Sequence, residues 1–118
     1  MRVVHERTGG SDTERVLATD VAAADSWLAR ARGLTFRRSV PDDYALVFRF
    51  DGQALRPLHM LFVPFDIDAV WLADGVVQQV ATLSSWTGRG SAVADTVVEL
   101  PAGAAADVEA GDRVRVEP

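Results

Sequence analysis

Two β-rich runs, 67–73 and 76–83, are separated only by Asp74-Gly75. Asp-Gly between such runs is the mark of a type I′ turn, because that turn needs φ > 0 at both central residues. The segment is therefore expected to be an antiparallel hairpin. A lone hairpin is marginal in water, so further strands must cover its apolar face.

The rest of the chain supplies them. Arg2–Arg7 and Arg15–Asp20 read as strands joined across the Thr8–Asp12 turn. Ala45–Phe50 alternates, with Ala45, Val47 and Arg49 on one face and Leu46, Phe48 and Phe50 on the other, and Asp51-Gly52 is expected to break it. Leu58–Val63 is an apolar run that stops at Pro64, Thr96–Leu100 stops at Pro101, and Arg113–Glu117 makes a final strand. Residues 87–91 read as a loop. Two helices are expected. One is capped by Asp25 and Ser26, carries Trp27, Leu28 and Ala31 on one face, and ends at Gly33 in the left-handed conformation. The other is an alanine-rich stretch, Ala102–Glu109, closed by Gly111. The fold class that follows is α+β and mostly β: a compact barrel-like or sandwich sheet of about eight strands with two short helices, 1–118 forming a single domain.

The absence of cysteine among the 118 residues excludes disulfides, thiol catalysis and zinc–thiolate or iron–sulfur sites. The apolar run Ala54–Phe65 is interrupted by Arg56, His59 and two prolines, so no membrane span is expected, and the first residues do not resemble a signal peptide. The expected setting is cytoplasmic. Net charge is −5, which argues against general nucleic-acid binding, where cations must replace phosphate counterions. All 12 basic residues are Arg, Asp outnumbers Glu 12 to 5, and Ala (18) and Val (17) dominate the apolar set. Short hydrated carboxylates and few long aliphatic stems suit an acidic protein in concentrated salt. A GC-rich genome accounts for the same composition, so salt adaptation and codon bias both stand.

Candidate chemistry is sparse. His59, Asp66 and Asp68 could sketch a metal site or an acid–base pair, but they supply three ligands at most on uncertain faces, and the plainer reading has His59 packed beside Met60 with a local hydrogen bond. No metal, cofactor or catalytic residue is assigned. Arg30, Arg32, Arg37 and Arg38 form a basic stretch that either clamps a small anion or pairs with aspartates, Asp42 and Asp43 first. Trp86, in a loop of Ser, Thr and Gly, either plugs one end of the sheet or contacts a ligand or protein partner. Ser84, Ser85 and Ser91 lack a Gly-x-Ser-x-Gly setting, and Gly88-Arg89-Gly90 is too short for a dinucleotide loop.

Three stretches read together resemble a known family. They are Arg30-Ala31-Arg32-Gly33-Leu34-Thr35-Phe36-Arg37; His59-Met60 with Phe65-Asp66-Ile67-Asp68; and Val98-Glu99-Leu100-Pro101-Ala102-Gly103 with Gly111-Asp112. In order and spacing they are similar to domain-of-unknown-function family 192, whose members typically read Arg-x-x-Gly-Leu-Met-x-Arg, Trp-Met-Lys-Asn-Thr, Pro-Leu-Asp, Glu-Leu-Pro-Ala-Gly and a terminal Gly-Asp. The chain departs from that pattern at Thr35, His59, Leu61-Phe62-Val63 and Asp66. The resemblance implies a mostly-β fold, no established activity, and motif roles for Gly33, Asp68, Glu99, Pro101, Gly103 and Asp112. It also implies that Asp68, on an apolar strand, takes its donor from Arg37 at the other charged motif position.

Three functions remain open on the sequence. The first is a non-enzymatic binding or accessory module with a shallow site for a small anion or a protein partner near His59, Trp86 and the arginines. The second is an enzyme acting on a small anionic substrate through Asp68 and His59. The third is a purely structural interaction domain.

Overall fold

The computed structural model describes residues 1–7, 14–23, 41–61 and 63–118. Eight strands run β1 (Arg2–Glu6), β2 (Glu14–Ala18), β3 (Asp20–Ala23), β4 (Tyr44–His59), β5 (Ile67–Ala73), β6 (Val76–Leu83), β7 (Arg89–Pro101) and β8 (Arg113–Glu117). They form one open sheet in the order β2-β1-β8-β6-β5-β7-β4-β3. Its outer strands β2 and β3 follow one another in the chain with only Thr19 between them, so this short stretch pairs antiparallel with β1 and then parallel with β4. Neither a closed barrel nor a second stacked sheet is formed among the described residues.

The Asp74-Gly75 hairpin is present, with φ of 51° and 79° at the two residues as a type I′ turn requires. Both faces of β5 are buried, which is why its run is apolar at every position but Asp68 rather than alternating. One face joins Val70 and Leu72 to Val3, Ala45, Val47, Val98, Leu100, Val108 and Val114. The other joins Ile67, Ala69 and Trp71 to Tyr44, Leu46, Phe48, Met60, Val63, Leu83 and Val97.

Three expectations change. Asp51-Gly52 does not end its strand. The β4–β7 register jumps from Arg49↔Thr96 to Ala54↔Ala94, so residues 50–53 form a bulge and β4 continues to His59. The Arg56 guanidinium secures the bulge by donating to Gly52 O (2.6 Å) and Ala94 O (3.1 Å) and by lying 3.9 Å over the Phe50 ring. Residues 89–91, read as loop, open β7 instead. Ala102–Glu109 is not a helix but a chain of tight turns, with Ala104 N–H to Pro101 O, Ala106 N–H to Gly103 O and Val108 N–H to Ala105 O. Gly103 at φ 93° is incompatible with a right-handed helix. The other expected helix, with Gly33 and the arginines 30, 32, 37 and 38, lies outside the described residues.

Beyond the bulge, β4 and β7 continue as a two-stranded ribbon that lies over Trp71. The Trp71 indole is fully buried and donates to Arg56 O at 2.7 Å. A Cβ at Gly90 would come within 2.9 Å of the indole, so glycine there lets the ribbon approach that closely.

Candidate functional site

From Leu55 to His59 and from Arg89 to Ala94 the ribbon alternates. Arg56, Leu58, Gly90 and Ala92 are half-buried and Ala94 is buried, whereas Leu55, Pro57, His59, Arg89, Ser91 and Val93 are exposed. Three cross-strand pairs make the outer face: Leu55↔Val93, Pro57↔Ser91 and His59↔Arg89. At the His59–Arg89 end the face opens into a groove of about 900 Å³, completed by Leu61 and the 86–88 loop.

That loop is tightly specified. Trp86 N–H donates to Val63 O (3.0 Å), Met60 N–H to Gly88 O (2.9 Å) and Gly88 N–H to Ser84 O (2.9 Å). The Asp66 carboxylate accepts from Ser85 N–H at 2.8 Å. A Cβ on Gly88 would meet the Ser84 backbone at 2.6 Å, so no other residue fits without movement. Trp86 itself sits at φ 66°, a left-handed conformation that costs a non-glycine residue on the order of 1 kcal/mol. Its side chain is 52% exposed, which corrects the expectation of a plug. Leu61 N–H donates to His59 Nδ1 at 3.3 Å, turning the imidazole toward the groove's own backbone. Among the described residues Arg89 makes no ion pair.

Asp68 does not face this groove. It shares the parity of Val70 and Leu72 and sits on their face of β5, among residues none of which lines the groove. There it is buried, and its carboxylate accepts from Thr82 Oγ1 (2.8 Å), Gly103 N–H (3.0 Å) and Ala105 N–H (2.9 Å). Neutral donors satisfy both oxygens; Arg37, the donor expected from the sequence, lies outside the described residues. Asp66 and Asp68 are thus parted, one closing the 84–86 loop and the other holding the 101–108 turns. The structure brings together His59 and Trp86 and leaves Asp68 apart.

Sequence reasoning missed His5. It is buried, and its Nε2–H donates to Asp112 Oδ2 at 2.8 Å, an oxygen that also accepts from Glu109 N–H at 3.0 Å. The signal lay in its place directly after the apolar pair Val3-Val4, with which it is buried on the first strand. Glu99 is buried on the Trp71 side of the sheet. Among the described residues, no group of three or more His, Asp or Glu side chains is arranged to hold a metal ion. No helix among them is long and apolar enough to cross a membrane.

Residues 8–116 match domain-of-unknown-function family 192, described as an uncharacterised ACR. The chain belongs to this family. Within family 192 the motif positions Asp68 and Gly103 meet directly here, carboxylate to backbone amide, which gives the second and third motifs a shared structural purpose. Two solved structures share the fold. One is a crystal structure of a candidate transcription regulator from Sinorhizobium meliloti, 22% identical with a TM-score of 0.81, covering 97% of this chain and 91% of that one. The other is a crystal structure of a protein of unknown function from Novosphingobium aromaticivorans, 21% identical with a TM-score of 0.81, covering 98% of this chain and 84% of that one. At such identities the likeness is one of fold. Among curated proteins nothing matches the chain.

Proposed function

We propose that this family 192 chain is a non-enzymatic binding module whose ligand occupies the groove between His59 and Trp86. The observation that carries this reading is Trp86 itself: a large aromatic held half exposed, in a left-handed backbone, at the rim of a groove. Aromatic surface kept in water at a conformational cost supports a role in contact rather than in packing. The Arg89 guanidinium and the Nε2–H of His59 beside it support an anionic ligand.

Catalysis by Asp68 and His59 has less support. The donors around Asp68 are Thr82 and the amides of Gly103 and Ala105, and none of these residues lines the groove that holds His59. The regulator description of the S. meliloti relative is not carried over, because a net charge of −5 does not favour a polyanionic duplex.

The test is a thermal-shift and NMR screen of small anions, phosphate and acetate among them. A ligand that binds only the folded state raises the melting temperature. The reading expects the amides of His59, Trp86 and Arg89 to move together and Trp86→Ala to abolish the effect. Shifts confined to other surfaces would overturn it. The salt adaptation suggested by composition is tested by the same melts in molar KCl, where stability is expected to exceed that in dilute buffer.

A further inference from the structure

The groove is one end of a longer strip. Among the described residues, four of the six large apolar side chains left exposed, Leu55, Leu61, Trp86 and Val93, lie on or beside the outer face of the ribbon. From Leu55 to His59 this face runs four residues, about 13 Å at about 3.3 Å per residue. An inorganic anion at His59 and Arg89 would leave Leu55, Pro57 and Val93 unused. An extended peptide places alternate side chains at the same repeat as Leu55, Pro57 and His59, and so matches the whole strip.

Charge identifies the occupant. Among the described residues the strip and groove carry Arg89 and His59 and no Asp or Glu, in a chain with 17 acidic residues. A second copy docking here about a two-fold axis would bury the same patch on both sides. With the axis across the middle of the strip, each Arg89 would be buried against the apolar Leu55 and Val93 end of the other copy with no carboxylate to pair it, which desolvation opposes. The complementary surface is acidic and apolar and belongs to another protein.

We propose that the outer face of the β4–β7 ribbon binds an extended peptide segment of a partner protein, in which apolar side chains at alternate positions lie over Leu55, Pro57 and Val93 and lead to a carboxylate held by Arg89 and His59 beside Trp86. This rests on the groove being the binding site and adds the class of ligand.

The experiment probes an immobilised library of random hexapeptides with the full chain and, in parallel, titrates the chain with phosphate and acetate by NMR. The expected enriched peptides carry Asp or Glu next to alternating apolar residues. Trp86→Ala and Val93→Thr each weaken their binding at least tenfold, and Arg89→Glu, a change at an exposed position, reverses the preference to basic peptides. Absence of enrichment, or enrichment indifferent to these variants, overturns the peptide assignment. If phosphate or acetate still moves His59, Trp86 and Arg89, the binding-module reading stands without it; if nothing moves them, both fall. Sedimentation that shows a dimer dissolved by Leu55→Asp identifies a second copy as the occupant and overturns the proposal as well.

Discussion

His5 on β1 and Asp112 in the turn before β8 meet at 2.8 Å in the interior, and the same carboxylate oxygen takes the Glu109 amide. The pair fastens the 109–112 turn to a strand more than a hundred residues earlier. Removing either partner leaves a buried polar group without its hydrogen bond. Asp112→Ala is expected to cost about 2–4 kcal/mol and His5→Ala about as much. The double variant should cost clearly less than the sum, because the His5–Asp112 bond is lost only once. Urea melts of the four proteins check this, and strict additivity would break the link between the two residues.

Asp68 gathers three neutral donors from two separate segments, Thr82 on β6 and the amides of Gly103 and Ala105. Asp68→Ala is expected to destabilise by about 2–4 kcal/mol and Thr82→Val by about 1 kcal/mol, since the latter removes one bond of three. Hydrogen exchange localises the damage: the amides of Gly103 and Ala105 should lose protection well before those of β5.

Trp86 offers the opposite case. Trp86→Gly removes the left-handed penalty and deletes a side chain that is half exposed. Folding stability is expected to be kept or to rise by up to about 1 kcal/mol, while ligand binding at the groove is lost. A drop of several kcal/mol in the urea melt would return Trp86 to a packing role.

Glu117 tests the ionic edge formed by β1, β2 and β8. Hydrogen bonds from Arg115 and then Arg2 hold its carboxyl below the ordinary carboxylate range. Reciprocally, Glu117 and then Glu14 raise the already high pKa of Arg115. A depressed carboxylate contributes stability at pH above its unfolded value and loses it as pH falls through the folded one. The contribution should therefore fade only in acid, and it should be small because the pair is exposed and screened. An NMR titration of the Glu117 side chain should find a low midpoint that rises in Arg115→Gln; a midpoint unmoved by that change would assign the shift to some other cause.

Local chemistry determined the hairpin. Asp74-Gly75 closes a I′ turn whatever surrounds it, and the apolar runs on either side have strand bounds that the structure keeps at Ile67–Ala73 and Val76–Leu83. The final strand and the two faces of the 45–50 segment were legible for the same reason, since side-chain direction in a strand follows from period alone. That both of those faces are buried was not legible. Local chemistry failed where a partner from far along the chain decides. Asp51-Gly52 looks like a strand end, but Arg56 and the register of β7 turn it into a bulge. Ala102–Glu109 has helical composition, but the buried carboxylate of Asp68 binds the amides of Gly103 and Ala105 and rewards turns instead.

The candidate site divides along the same line. His59 and Trp86 stood out as residue types, but residues 27 positions apart become neighbours only because β4 and β7 pair at His59↔Arg89. Asp68 stood out equally, but its partners Thr82, Gly103 and Ala105 lie outside the groove, a placement set by segments distant in sequence. Which face meets the groove depends on how the ribbon folds over Trp71. The sequence by itself determined the strands, their faces and the kinds of side chain available. Only the tertiary structure decided which of them share a surface, because strand pairing and close approach of backbones are set between segments distant in sequence, where local propensity has no reach.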